Sequence, residues 1–186
     1  MKTISLITLV SLLANNILAD EISIKQEGVK YIKMLGKELK TNLIAKMKED
    51  PTALSAMGFC TGKAEEITKD LNSKLPKGVN VRRTALKTRS VKNAPDVTDL
   101  EVMTSYERKA IDKQLNPKDI VVTGKDGVYR VYKPLIINKV CLKCHGDINS
   151  LSTDIKSVID KNYPKDMATG FKLGDFRGVI VSEIKK

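Results

Sequence analysis

The chain has one histidine and three cysteines, and two of those cysteines share one tetrapeptide. An odd cysteine count cannot be used up in paired disulfides, and one histidine excludes any site built from several imidazoles. After the first twenty residues no apolar run approaches the roughly 20 residues of a membrane span. No internal repeat recurs, and no low-complexity linker divides the sequence. Acidic residues are also in short supply, at 22 against 33 Lys plus Arg, for a formal net charge of +11. The basic residues are scattered rather than clustered, which argues against a nucleic-acid partner. Such a charge better suits an acidic redox partner protein or peripheral contact with an anionic membrane surface.

At 186 residues the chain is about the size of one domain with a single core. Lys2 precedes an apolar run from Ile4 to Ala14, which Asn15 and Asn16 interrupt ahead of small Ala19 and acidic Asp20. This layout predicts a secretory signal peptide over residues 1–19 and a mature chain in the periplasm; a retained short anchor is the alternative. No cysteine follows the run to take a lipid.

From Ile22 to Lys48, apolar Ile24, Val29, Ile32, Leu35, Leu39, Leu43 and Met47 recur at mostly three- and four-residue steps. The pattern predicts a long N-terminal amphipathic helix over 20–50, with Gly28 or Gly36 as points where it could break. A second helix is expected from Asp50 or Thr52, with Pro51 at its start and Ala53, Met57, Cys60, Ala64, Ile67 and Leu71 on one inward face. Val79 to Thr88 reads as a strand and Asp99 to Leu115 as a helix. Asp126-Gly127 has hairpin-turn chemistry between Ile120–Thr123 and Val128–Tyr132. A short helix near Ile155–Asp160 and a last strand at Gly178–Ile184 complete an α+β domain on an antiparallel sheet, spanning 51–186.

Cys141-Leu142-Lys143-Cys144-His145 is C-x-x-C-H, the attachment signature of c-type haem. Two thiols two residues apart can reach both vinyl groups of one porphyrin, and the next residue, His145, is then held beneath the iron. The rival readings are a Cys141–Cys144 disulfide, a thioredoxin-like dithiol, and a zinc site that adds His145 and Cys60. A dithiol motif would need a βαβ setting, and neither Pro nor Gly lies between the cysteines. Structural zinc generally takes two spaced ligand pairs, and the chain has one. For a sixth iron ligand the residues themselves leave Met57, Met103, Met167 and Cys60 open.

The chain resembles a bacterial family of PAS-like c-type haem domains, long classed as a domain of unknown function. The resemblance runs from Ser55 to about Ile184 in four blocks: Ala56–Ile67, Val81–Asp96, Tyr132–Gly146 and Ala168–Val181. It implies a PAS-like antiparallel sheet flanked by helices, one covalent haem c, and a Cys60 thiolate opposite His145 on the iron. Ala85, where a serine is usual, and Ser90-Val91, where Asn-Pro is usual, depart from the family pattern.

Haem carries two propionates, and guanidinium groups bind carboxylates through paired hydrogen bonds. In a strand Arg83 and Arg89 share a face while Arg82 lies on the other, so Arg83 and Arg89 are the candidate propionate contacts. Arg130 and Lys133 are weaker ones. A haem-based redox or small-gas (CO or NO) sensor or binding module is the first functional expectation. A soluble periplasmic electron carrier with His/Met ligation is the second. An enzyme such as a peroxidase is not expected, because His145 on the iron leaves no histidine for distal acid–base work.

Overall fold

The computed structural model describes residues 7–186, with side-chain surroundings from residue 20 onward. The side chains of the expected export signal, residues 1–19, lie outside the described residues. Among the described residues no helix is long and apolar enough to cross a membrane.

Helix α1 spans Ile7–Glu49 without a break at Gly28 or Gly36. The apolar stripe explains why: Ile24, Ile32, Leu35 and Leu39 bury into one cluster with Val81, Val131, Ile180 and Ile184 of the sheet. Gly28 is there for close approach rather than for bending. A Cβ at that position would sit 2.4 Å from the Val131 side chain.

The expected second helix divides into α2 (Leu54–Thr61) and α3 (Lys63–Ser73). The break falls at Gly62, whose φ of −129° and ψ of −69° leave the helical region. Cys60 therefore lies at the end of a short helix rather than in the middle of a long one. Its side chain is half-buried against the α1–sheet cluster.

Strands β1 (Val79–Thr84), β2 (Val121–Lys125), β3 (Val128–Ile136) and β4 (Phe176–Lys185) form one antiparallel sheet in the order β1-β4-β3-β2. Asp126 and Gly127 adopt φ of 52° and 75°, the double positive turn that suits the twist of a two-residue hairpin. The first strand ends at Thr84, four residues earlier than its β-branched composition suggests. Gly178 presses against it there: a Cβ on Gly178 would lie 2.5 Å from the Thr84 carbonyl oxygen. The chain leaves the sheet at this crossing, so the alternation that placed Arg83 and Arg89 on one strand face stops short of Arg89.

Helix α4 (Val97–Ile111) covers the opposite sheet face, packing Val102, Met103 and Tyr106 against Tyr132, Val179 and Val181. It begins two residues before the expected Asp99, because Asp96 and Asp99 close a capping box. Asp99 is fully buried and takes a 2.8 Å ion pair from Arg82 and a 3.1 Å hydrogen bond from the Tyr132 hydroxyl. Helices α5 (Leu142–His145) and α6 (Thr153–Asn162) follow β3, and Ile155 and Ile159 of α6 bury against Met57 of α2. The architecture is α+β, an antiparallel sheet flanked by helices.

Candidate functional site

The motif forms a single helical turn. The amides of Cys144 and His145 both donate to the Cys141 carbonyl, at 3.2 and 2.9 Å, so both thiols and the imidazole project from one tight turn. A Cβ on Gly146 would come within 2.5 Å of the Leu142 carbonyl oxygen, which explains the glycine that follows the histidine. All three cysteines are free, and every strand pairing is antiparallel, so the βαβ setting of a redox dithiol is not present. Burial and the nearby Cys60 push the Cys144 thiol up to about 11, opposite to the lowered value of a reactive dithiol. Among the described residues no three of His, Cys, Asp or Glu gather as a metal site would require.

His145 is oriented by main chain. Its Nδ1 faces the Ala168 carbonyl oxygen at 2.6 Å, and Phe171 meets the ring edge-on with centroids 6.3 Å apart. The Phe171 amide also donates to the His145 carbonyl at 3.0 Å. Burial and the neighbouring charges of Arg177 and Arg89 pull the imidazole down to about 3. It is thus neutral at ordinary pH, with the Nε2 lone pair available, which is the form that binds a metal.

Cys60 approaches the motif from α2. Burial pushes its thiol up, while the charges of Arg83 and Arg89 draw it down. The Tyr163 hydroxyl donates to the Cys60 carbonyl at 3.3 Å and so ties α2 to the loop after α6. Met57, one turn earlier, is 1% exposed and packs in the cluster that includes Cys144. The other two candidate methionines lie elsewhere: Met103 is on α4 on the far side of the sheet, and Met167 is 52% exposed.

The arginines separate into different tasks. Arg83, on the α1 face of β1, has no hydrogen-bond or ion-pair partner among the described residues; burial lowers its pKa, and its opposing neighbours are Cys60 and Tyr163. Arg89, expected beside it, is instead engaged with protein groups: Asp166 at 3.1 Å and the carbonyls of Cys144 and Ala168 at 2.7 and 3.2 Å. Its donors are committed, so a propionate contact through Arg89 does not follow from this arrangement. Arg130 is drawn to Asp96 and Glu183 on the α4 face, and Lys133 donates to the Pro117 carbonyl; neither is directed at the motif.

Two participants were not singled out in the sequence. Arg177 at the start of β4 is pulled down to about 10 by burial and by the charges of Arg89 and Arg83, and its guanidinium stacks 5.3 Å from the Phe171 ring centroid. Asp166 is the carboxylate that opposes these guanidinium groups. Both lie in or beside the fourth family-like block, yet a lone Asp or Arg at such distance from the motif carries no local signal. Phe171 and Arg177 also line a cavity of about 220 Å³ with Glu107, Ala110 and Ile111 of α4.

No curated protein matches this chain. Among solved structures it is similar to the cyanobacterial heme-protein Tll0287, with a TM-score of 0.55 and 23% identity over 67% of this chain and 70% of that one. At that identity the likeness speaks for the fold. The family model described as Tll0287-like matches residues 11–184, which includes most of α1 as well as the four blocks. The chain therefore belongs to the Tll0287-like family.

Proposed function

We propose that this chain is a periplasmic mono-haem c-type cytochrome that serves as a redox or small-gas sensor. In this reading Cys141 and Cys144 would hold haem c through thioethers, and His145 and Cys60 would be the ligands to its iron. The observation that carries the proposal is a charge imbalance around the motif. Three guanidinium groups, Arg83, Arg89 and Arg177, are set against one carboxylate, Asp166. Leaving a surplus of positive charge in a partly dry interior is costly unless an anion joins it. A haem brings two propionates that would join this positive group, and Arg83 and Arg177 still have donors to give. The free thiols on one turn and the neutral imidazole suit the same group.

Bound haem would supply a one-electron couple and, where an axial position is free, affinity for CO or NO. The chain's own contribution is to hold protons in place. The Ala168 carbonyl keeps a proton on Nδ1 of His145 and leaves Nε2 unprotonated. Burial holds Cys60 Sγ as a thiol against the opposing charges of Arg83 and Arg89, whereas a bound metal ion would favour its thiolate. That preference for the thiol, which would let Cys60 leave an iron it ligates, supports a sensor more than a fixed carrier. The heme-protein nature of the similar solved structure and the apolar run at Ile4–Ala14 support the cofactor and the exported location respectively. With its only histidine on the iron, the site is read as non-enzymatic.

An electron carrier ligated by Met57 is the second reading, favoured by the complete burial of Met57 against Cys144. Ferric and ferrous absorption spectra with a midpoint potential decide between them. A low-spin thiolate-type ferric spectrum and a strongly negative potential are expected. A positive potential with a methionine-type spectrum would replace the sensor by the carrier.

A further inference from the structure

Arg89 lies in the loop after β1, outside any regular element, yet its side chain is 10% exposed and faces an Asp166 carboxylate that is 7% exposed. Its donors reach three separate segments. Nε donates to Asp166 Oδ1 at 3.1 Å, and Nη2 approaches Oδ2 at 3.3 Å. Nη2 also donates to the Cys144 carbonyl at 2.7 Å and the Ala168 carbonyl at 3.2 Å, while Nη1 meets Met57 Sδ at 3.9 Å. Asp166 Oδ1 in turn accepts the Ala168 amide at 3.0 Å. Residue Ala168 is thus held on both sides, by Arg89 at its carbonyl oxygen and by Asp166 at its amide.

That same Ala168 oxygen faces His145 Nδ1 at 2.6 Å. A carbonyl can only accept, so the nitrogen facing it must carry the proton. Ala168 belongs to a stretch without helix or strand, where the Met167, Gly170 and Phe171 amides anchor the flanking backbone to the Thr88, Gly146 and His145 carbonyls, and Arg89 is the side chain that donates to the Ala168 carbonyl itself. We infer that Arg89, oriented by Asp166, is a positioning residue that selects the Nδ1–H tautomer and ring plane of His145 and ties the Cys60-bearing α2 to the motif turn. A lysine could keep the charge but not the planar fork that reaches several acceptors together.

The consequence for iron rests on the proposed haem ligation, but the tautomer can be read without haem, because the chain has no other histidine. The full chain made without haem attachment and labelled with ¹⁵N-histidine reports its tautomer from the two ring-nitrogen shifts. Wild type should show the Nδ1–H form. Arg89→Lys should raise the Nε2–H fraction roughly tenfold, the effect expected when one charge-assisted hydrogen bond is lost. Asp166→Asn should move it the same way, although it changes charge in the opposite sense to Arg89→Gln. In the haem-loaded full chain, Arg89→Lys should split the ferric low-spin resonance into more than one species well below the melting temperature.

An unchanged tautomer ratio and a single resonance in Arg89→Lys, even with a lowered melting temperature, would overturn the inference in favour of a purely structural role. If Arg89→Lys fails to fold, an unchanged ratio in Asp166→Asn overturns it equally. A wild-type chain that carries no covalent haem, yet shows the tautomer shifts, defeats the proposed function while the positioning of His145 stands.

Discussion

Replacing Arg83 by methionine should change stability in opposite directions with and without haem. Without haem the guanidinium is half-buried beside Cys60 and has no hydrogen-bond or ion-pair partner among the described residues. Removing it relieves that cost while the methionine stem fills similar space. Residual contact with solvent puts the gain at the low end of the usual range for an unsatisfied buried group, about 1 kcal/mol. For a chain of this length that corresponds to a rise of about 2–4 °C in Tm. In the haem-loaded chain Arg83 would donate to a propionate, and losing a hydrogen bond between charged groups costs about 1.5–3 kcal/mol. The melting temperature should then fall by several degrees. Paired thermal melts of wild type and Arg83→Met, each with and without haem, measure both. A shift of the same sign in both forms would refute the idea that Arg83 is an anion site held in reserve.

Other outcomes follow from the same structure. Cys60→Ala should keep covalent haem, move the ferric spectrum away from the thiolate type and raise the midpoint potential, whereas Met57→Ala should leave the potential near wild type; the reverse pattern identifies Met57 as the ligand. In the haem-free chain the unfolded His145 takes a proton below about pH 6.5 and the folded one does not until about 3, so stability should fall as pH drops through that window. His145→Asn should flatten the part of that slope lying above the carboxylate range, and urea midpoints between pH 7 and 5 test it. Asp99→Ala removes the buried acceptor of Arg82 and the Tyr132 hydroxyl at the start of α4 and, with Arg82 30% exposed and Asp96 still 3.9 Å away, should cost about 1–3 kcal/mol in denaturant unfolding, with no change in the haem spectrum.

What could be read from the residues was local. The hairpin at Asp126-Gly127, the stripe along α1 and the C-x-x-C-H turn each announce themselves within a few positions, because backbone conformation and short-range spacing determine them. Close contacts between distant segments could not be read this way. Gly28 looked like a helix breaker and proved to be the place where α1 touches Val131. The end of β1 depends on Gly178, more than ninety residues later, so the face occupied by Arg89 could not be inferred from alternation alone. Arg89 reaches Asp166 and Ala168 across 77 and 79 residues, and Arg177 joins them only when β4 folds back beside β1. Spacing thus identified Cys141, Cys144 and His145 as a unit. The ring of charge around them is a product of tertiary folding.

The most direct measurement is the denatured mass of the chain purified from cells able to attach c-type haem. One haem added to the polypeptide mass, still bound after acid–organic extraction and absent in Cys141→Ser/Cys144→Ser, is the predicted result. A polypeptide mass without haem, or a pigment that extracts freely from the intact chain, would contradict it.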